Sequence, residues 1–306
     1  MGTTYHVTVV AEQMDEPAIG ARIASTLHNV DAAMTTYRDD SELMLLNAAP
    51  SNAWLSVSMP LYQVLQTSRE VYGITGGAFD PTVGPLVRLW GFGPDEAVAK
   101  PDDEAIAAAK ARIGFQYLEI DPERAYVRKL RDIELDLSAV AKGYAVDAVA
   151  AELDSYGFTR YLVEVGGEVR VRGDSPRGDA WRVAIEKPVL QQGEVQVALR
   201  LSGDAMATSG DYRNFRDFAG KRYSHEIDPV TGQPVQNKVV SVTVVAADCA
   251  TADALATGLM AMGEEAAQAL VLRDQLPVYM MLRNGDALDI WQSPAMTDYL
   301  ESEVSQ

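Results

Sequence analysis

The chain has 306 residues, 47% of them hydrophobic and 23% charged, a balance that reads as a soluble globular protein with a sizeable core. Its 44 acidic and 26 basic side chains leave a formal net charge of −18. A surface of that sign repels phosphate backbones and argues against general nucleic-acid binding, but local N–H groups, a lysine or a metal can still build a nucleotide pocket.

Cys249 is the only cysteine, which rules out an intrachain disulfide and a cysteine-based metal cluster. No apolar run approaches the roughly 20 residues needed to cross a bilayer. The start, Met1 to Val10, alternates like a strand rather than reading as a signal peptide.

In chain order, Thr4 to Val10 reads as a strand and Pro17 to Val30 as an amphipathic helix, with Ile19, Ile23, Leu27 and Val30 at helical spacing. Ser41 stands at the start of a short helix, and Tyr37 just before it is suited either to stacking on a planar ring or to the core edge. Pro60 to Thr75 is a second amphipathic helix. The stretch from Gly77 to Pro94 then breaks every periodicity, with turn chemistry at Asp80-Pro81-Thr82 and Gly84-Pro85. Asp102 to Gly114 is an Ala-rich helix, followed by a hairpin over Tyr117–Ile120 and Ala125–Leu130.

A strand is expected to end near Leu137, with Ser138 capping a helix that runs to Gly157. Free N–H groups at such a helix start can seat an anion, and Lys142 lies in its first turn. Gly143 costs a helix about 1 kcal/mol relative to Ala, so its presence suggests a close backbone neighbour. Further strands follow at Tyr161–Val165, Val169–Arg172, Trp181–Ile185 and Val195–Leu201, the first pair separated by Gly166-Gly167-Glu168. His225 falls in a Pro- and Gly-punctuated loop just before Asp228-Pro229.

The β-rich run Val239–Ala246 switches abruptly to Asp248–Gly263, where Asp248 can cap a helix and Gly263 can end it. Asp253 and Thr257, one turn apart on that helix, place two hard oxygen donors on one face, a spacing able to hold an edge of Mg²⁺. Strands over Leu276–Leu282 and Ala287–Gln292 close the chain before a loose tail. Without a repeat or an obvious linker, residues 1–306 read as one domain.

Walker loops, dinucleotide fingerprints, His-Glu-x-x-His and nucleophile elbows are not found. Present instead, in order, are Met1-Gly-Thr-Thr-Tyr5, Thr36-Tyr37-Arg38 with Ser41-Glu42 and Asn47, Gly77-Ala-Phe-Asp-Pro-Thr-Val83 and Asp136-Leu-Ser-Ala-Val-Ala-Lys-Gly-Tyr-Ala-Val-Asp147. Gly166-Gly167-Glu168, Ala207-Thr-Ser-Gly-Asp-Tyr212, His225-Glu-Ile-Asp-Pro-Val-Thr-Gly232 and Ala252-Asp-Ala-Leu-Ala-Thr-Gly258 continue the series. Together they resemble the FAD:protein FMN transferase (ApbE) family. Each motif alone is weak, but their number and order are specific.

The resemblance implies an α+β fold of the ApbE, T-fold-like type: mixed β-sheets flanked by helices, with FAD in a cleft between two halves of one domain. It also implies a Mg²⁺-dependent enzyme that transfers FMN from FAD to a threonine or serine of an acceptor flavoprotein, an electron-transfer subunit by family habit, and releases AMP. The metal site would fall on Asp253, Thr257 and a backbone carbonyl at Ala139. The FAD pocket would fall on Met1, Tyr37, Asp80, Lys142, Gly167, Glu168, Ser209 and His225. His225 is the candidate base, and Asp228 would orient its loop. Family members usually carry an export or lipoprotein segment, so a periplasmic or membrane-anchored protein is expected, with a cytoplasmic one as the alternative. Water in place of the protein hydroxyl would make the same site an FAD pyrophosphatase, and loss of chemistry would leave an FAD-binding protein.

Overall fold

A computed structural model describes residues 2–92, 100–188, 195–211, 215–218, 221–224, 226–285 and 287–301. Strand β1 (Tyr5–Val9) leads into helix α1 (Glu16–Met34), the short helix α2 (Glu42–Ala48), strand β2 (Leu55–Ser56) and helix α3 (Met59–Ile74). Helices α4 (Gly84–Leu89) and α5 (Asp103–Lys110), strands β3 (Leu118–Ile120) and β4 (Tyr126–Lys129), and helix α6 (Ala141–Ser155) follow. The chain then becomes strand-rich, with β5 (Tyr161–Val165), β6 (Glu168–Arg172), β7 (Trp181–Glu186), β8 (Val195–Leu201) and β9 (Ala205–Gly210). The hairpin β10 (Phe215–Phe218) and β11 (Lys221–Ser224) precedes β12 (Val239–Ala246), α7 (Cys249–Met262), α8 (Glu264–Asp274), β13 (Val278–Asn284) and β14 (Ala287–Gln292).

Seven strands form the main sheet in the order β1-β5-β6-β9-β12-β13-β14, and each of its neighbouring pairs runs antiparallel. The side-chain period of two divides its buried residues between the two faces. On one face Val163, Val165, Ala205, Ala207, Val242, Val244, Val278 and Met280 join the larger core, which also contains the buried faces of α1, α3, α6 and α7. On the other face Val169, Val171, Met206, Val245, Tyr279 and Met281 meet Trp181, Val183, Ile185, Leu199 and Leu201 of the β7–β8 ribbon. The α+β class expected from the resemblance is what is found.

Local chemistry explains where most helices begin. Asp15, Ser41, Ser58, Asp102 and Asp248 each accept an N–H from the first turn of the helix they precede, a contact worth about 1 kcal/mol. Pro17 and Pro60 sit where a missing N–H does no harm. Helices α4, α6 and α8 start without such a cap, and α6 is the one for which a cap is expected. Val140 precedes it without a side-chain cap, and the Ser138 hydroxyl donates instead to Asp136 at 2.5 Å. The strand expected near Leu137 is likewise absent, because Asn47 pairs with Leu135 through its amide, donating at 2.9 Å and accepting at 2.8 Å.

A third, smaller cluster of Leu86, Trp90, Ile106, Tyr223 and Ile227 ties α4 and α5 to the loop after β11. Trp90 Nε1 donates to Gly232 O at 3.0 Å, which fastens that loop beside the Pro-rich segment. Among the described residues, no helix is long and apolar enough to cross a membrane.

Candidate active site

A cleft of about 1060 Å³ gathers residues from both halves of the chain. Its floor is built by α7. Asp248 takes the Thr251 N–H at 2.8 Å, and the helix then presents Asp253 and Thr257 to the cleft from successive turns. Asp253 is 3% exposed, and its Oδ2 accepts the Gly143 N–H of α6 at 3.0 Å. Thr257 Oγ1 lies 3.0 Å from Ser209 Oγ on β9, so the hydroxyls of a helix and the strand beneath it meet at one point.

Lys142 and Glu168 line the cleft beside Asp253. Lys142 Nζ donates to Glu168 Oε1 and lies 3.9 Å from Asp253 Oδ1. Burial opposes the Lys142 charge, but Asp253 and Glu168 outweigh it and hold the proton more tightly than on an ordinary lysine. Burial, reinforced by the nearby Asp253, pushes the Glu168 carboxyl up to about 8 despite its lysine partner. Its second oxygen, Oε2, is buried without a hydrogen-bond partner among the described residues. An orphaned carboxylate oxygen in a cleft is a position that a ligand or ion can satisfy.

Tyr37 lines the cleft and is 81% exposed, which removes it from the core and leaves its ring face available. Asp80 also lines the cleft, but its carboxylate is engaged by its own surroundings. Oδ1 accepts from Thr82 N and Oγ1, and Oδ2 from Phe115 N, while Thr82 Oγ1 accepts the Gly114 N–H. Burial raises its carboxyl above the usual range. Asp80 thus shapes the turn that forms one wall.

Ala139 lines the cleft from the loop before α6. Gly167 stands beside the lining residue Gly166, at φ +102°, and donates its N–H to Glu164 Oε1 at 2.6 Å. Asp228 is not brought to the cleft. Its carboxylate accepts from Val230 N and Thr231 Oγ1, both at 2.8 Å, which closes the turn after the lining residues Glu226 and Ile227. Met1 and His225 lie outside the described residues.

The structure adds lining residues that sequence reasoning did not single out, among them Arg88, Glu134 and Asp136. Arg88 pairs with Glu134 at 2.5 Å, and Asp136 holds Ser138 through N and Oγ. Asp136 was visible as the first residue of the Asp136–Asp147 motif. Arg88 and Glu134 carry no local signal, because only the tertiary fold brings α4 and the 133–139 segment to one rim.

Among the described lining residues, two basic side chains, Arg88 and Lys142, stand against the six acidic side chains Asp80, Glu134, Asp136, Glu168, Glu226 and Asp253. An anionic ligand in so acidic a cleft needs added positive charge. The Asp253 carboxylate and the Thr257 hydroxyl are hard oxygen donors of the kind a divalent cation takes, with Glu168 Oε2 unpaired nearby. Among the described residues, no group of three or more His, Cys, Asp or Glu side chains is placed to hold a metal ion by itself.

Fold and site together define an α+β protein with a nucleotide-sized cleft rich in oxygen donors. The chain belongs to the ApbE family, whose sequence profile matches residues 1–280. It is 42% identical over 309 residues to a FAD:protein FMN transferase of Klebsiella pneumoniae, covering 99% of this chain and 88% of that protein. The flavin transferase ApbE of Vibrio cholerae superposes with a TM-score of 0.89 at 42% identity, covering 98% of this chain and 96% of that one. The Pseudomonas stutzeri flavinyl transferase ApbE, in its apo form, gives the same TM-score at 34% identity, with coverage of 99% and 95%.

Proposed function

We propose that this protein transfers FMN from FAD to a threonine or serine hydroxyl of an acceptor flavoprotein. The observation that carries the reading is the Asp253–Thr257 couple beside the Lys142–Glu168 pair in one cleft, in a family whose relatives bear that activity as their name. The acceptor oxygen attacks the phosphorus of the FMN half. The bond from that phosphorus to the bridging oxygen breaks, AMP leaves with the oxygen, and the hydroxyl proton passes to a base.

Catalysis of this kind rests on positioning and charge neutralisation more than on covalent help from the protein. Lys142 supplies a fixed positive charge beside the start of α6, where a phosphate can sit. Tyr37 offers its exposed ring to a flavin face. His225 remains the candidate base. Asp253, Thr257 and the Ala139 carbonyl would hold Mg²⁺, which when bound polarises the pyrophosphate and steadies the leaving oxygen.

Incubation with FAD, Mg²⁺ and a domain bearing an acceptor threonine, followed by intact mass, tests the reading. A mass gain matching FMN that disappears with EDTA supports it. Free FMN and AMP without a mass gain would indicate an FAD pyrophosphatase, and bound but unchanged FAD a binding protein. Electron-transfer subunits are the acceptor class to try first. The reading also carries an exported or membrane-anchored location, which fractionation of cells would test.

A further inference from the structure

Strand β6 meets helix α6 through two ion pairs of opposite sense. Glu168 pairs with Lys142, and Arg170 Nη1 lies 2.5 Å from Asp147 Oδ1. Two residues of strand advance about 6.7 Å and five residues of helix about 7.5 Å, so the two rungs match in rise. The first rung lines the cleft, whereas neither Asp147 nor Arg170 does.

Asp147 has further partners. Its Oδ1 accepts the Cys249 N–H at 3.0 Å and its Oδ2 the Ala250 N–H at 2.9 Å. These are the first two residues of α7, whose N–H groups have no partner within the helix. One turn further along α7, Asp253 takes the Gly143 N–H, and Gly143 lies one turn before Asp147 on α6. The helices therefore run in opposite senses at this contact and are fastened at both ends of a turn. Between the fastenings their backbones touch, since a Cβ on Gly143 would lie 2.3 Å from Cys249 O.

We infer that Asp147, anchored by Arg170, is a positioning residue: it sets the rotation and register of α7 and so the stance of Asp253 and Thr257 toward a divalent cation. This rests on the metal reading given under the proposed function. Asp147 touches neither residue of the couple. Its requirement is for a carboxylate with two accepting oxygens at a helix start, where negative charge is also favoured. An ordinary ion pair between α6 and β6 would work equally well with its charges exchanged. A guanidinium at position 147 cannot accept the Cys249 and Ala250 N–H groups.

The test compares wild type, Asp147→Asn, Arg170→Lys and the exchanged double variant Asp147→Arg with Arg170→Asp. The readouts are the midpoint of Mg²⁺-induced thermal stabilisation, FAD binding without metal, and FMN transfer as a function of Mg²⁺. Asp147→Asn is expected to raise the Mg²⁺ midpoint about tenfold or more, as loss of outer partners of metal ligands commonly does. FAD binding without metal stays unchanged, and transfer returns at high Mg²⁺. Arg170→Lys shifts the midpoint the same way by less, and the exchanged pair restores nothing.

A lower melting temperature with an unmoved Mg²⁺ midpoint would reduce Asp147 to a structural residue and overturn the inference. Restoration by the exchanged pair would overturn it equally. Should Asp147→Asn fail to fold, Arg170→Lys decides alone, and an unmoved midpoint refutes the idea. Wild type that Mg²⁺ does not stabilise would remove the inference together with the metal site. Wild type that Mg²⁺ stabilises but that transfers no FMN would sink only the proposed function, and the midpoint comparison would still decide this one.

Discussion

Gly143 donates its N–H to Asp253 Oδ2 at 3.0 Å, and it can do so only because it carries no side chain. A Cβ there would lie 2.3 Å from Cys249 O, 2.6 Å from its carbonyl carbon and 2.8 Å from Ala250 Cα, all backbone atoms that cannot swing aside. The glycine predicted from helix propensity to mark a close neighbour marks the contact between the two helices that build the site. Gly143→Ala is expected to push α6 and α7 apart. The strain should cost about 1–3 kcal/mol, in the range of other overpacked cores. FMN transfer should fall far more than the loss of folded protein explains. Thermal melting and transfer at saturating FAD check this; unchanged values for both would show that the helices separate without consequence.

Glu168 makes stability depend on pH with a definite sign. Burial raises its carboxyl from the ordinary 4.5 to about 8, so the folded protein binds that proton more readily than the unfolded chain does. Its favourable contribution is complete below pH 4.5 and is lost as pH rises through about 8. Glu168→Gln has no such proton to lose, while the Lys142 charge persists throughout this window. Wild type should therefore lose stability relative to Glu168→Gln between pH 5 and pH 8, by a few kcal/mol at most. Melting temperatures of both proteins at the two pH values measure it. A constant difference would mean that Glu168 titrates alike in both states.

Local signals make the caps legible in the sequence: Ser41 and Asp248 mark helix starts and Gly263 a helix stop, and each takes that place. Alternation and helical spacing likewise placed β1, α1, α3, β12 and α7. What the sequence hid depends on distant partners. The segment at Ile133–Leu137 has strand-like residues, yet Leu135 bonds to the Asn47 side chain, Glu134 N to Arg112 O and Asp136 N to Pro81 O rather than to a neighbouring strand. No element is read from the sequence at Ala205–Gly210, yet its small residues form a strand packed against α7 at the centre of the sheet. In the site, the Asp253–Thr257 spacing was visible because it is helical. The engagement of Asp80 by Thr82 and Phe115, and the meeting of Arg88 with Glu134, were not, since no period or motif encodes them.

The Asp253–Thr257 couple separates a metal role from a packing role. Asp253→Asn keeps an oxygen for the Gly143 N–H and nearly the same volume, but it removes the negative charge that faces Lys142. Transfer is expected to drop at least about a hundredfold, on the scale of removing a key electrostatic group from an active site. Mg²⁺-induced thermal stabilisation should disappear, while the fold survives in metal-free buffer. Thr257→Val should weaken the Mg²⁺ response in the same direction and free Ser209 from its hydroxyl partner. An Asp253→Asn protein that still gains stability from Mg²⁺ would place the cation elsewhere.

Tyr37 is the residue at which binding and stability should separate most cleanly. The residue is 81% exposed at the edge of the cleft, so truncation removes little buried surface and should change stability by no more than about 0.5 kcal/mol. Stacking on a flavin ring would be worth about 0.5–1.5 kcal/mol beyond area alone, which corresponds to a rise of roughly two- to twelvefold in the FAD dissociation constant. Tyr37→Phe keeps the ring face and should bind like wild type, whereas Tyr37→Ala should not. Titration of FAD fluorescence against the three proteins, alongside their melting temperatures, decides the point. Equal affinities for all three would show that the exposed ring takes no part in holding FAD, and would direct attention to Asp136 and Arg88 on the other walls of the cleft.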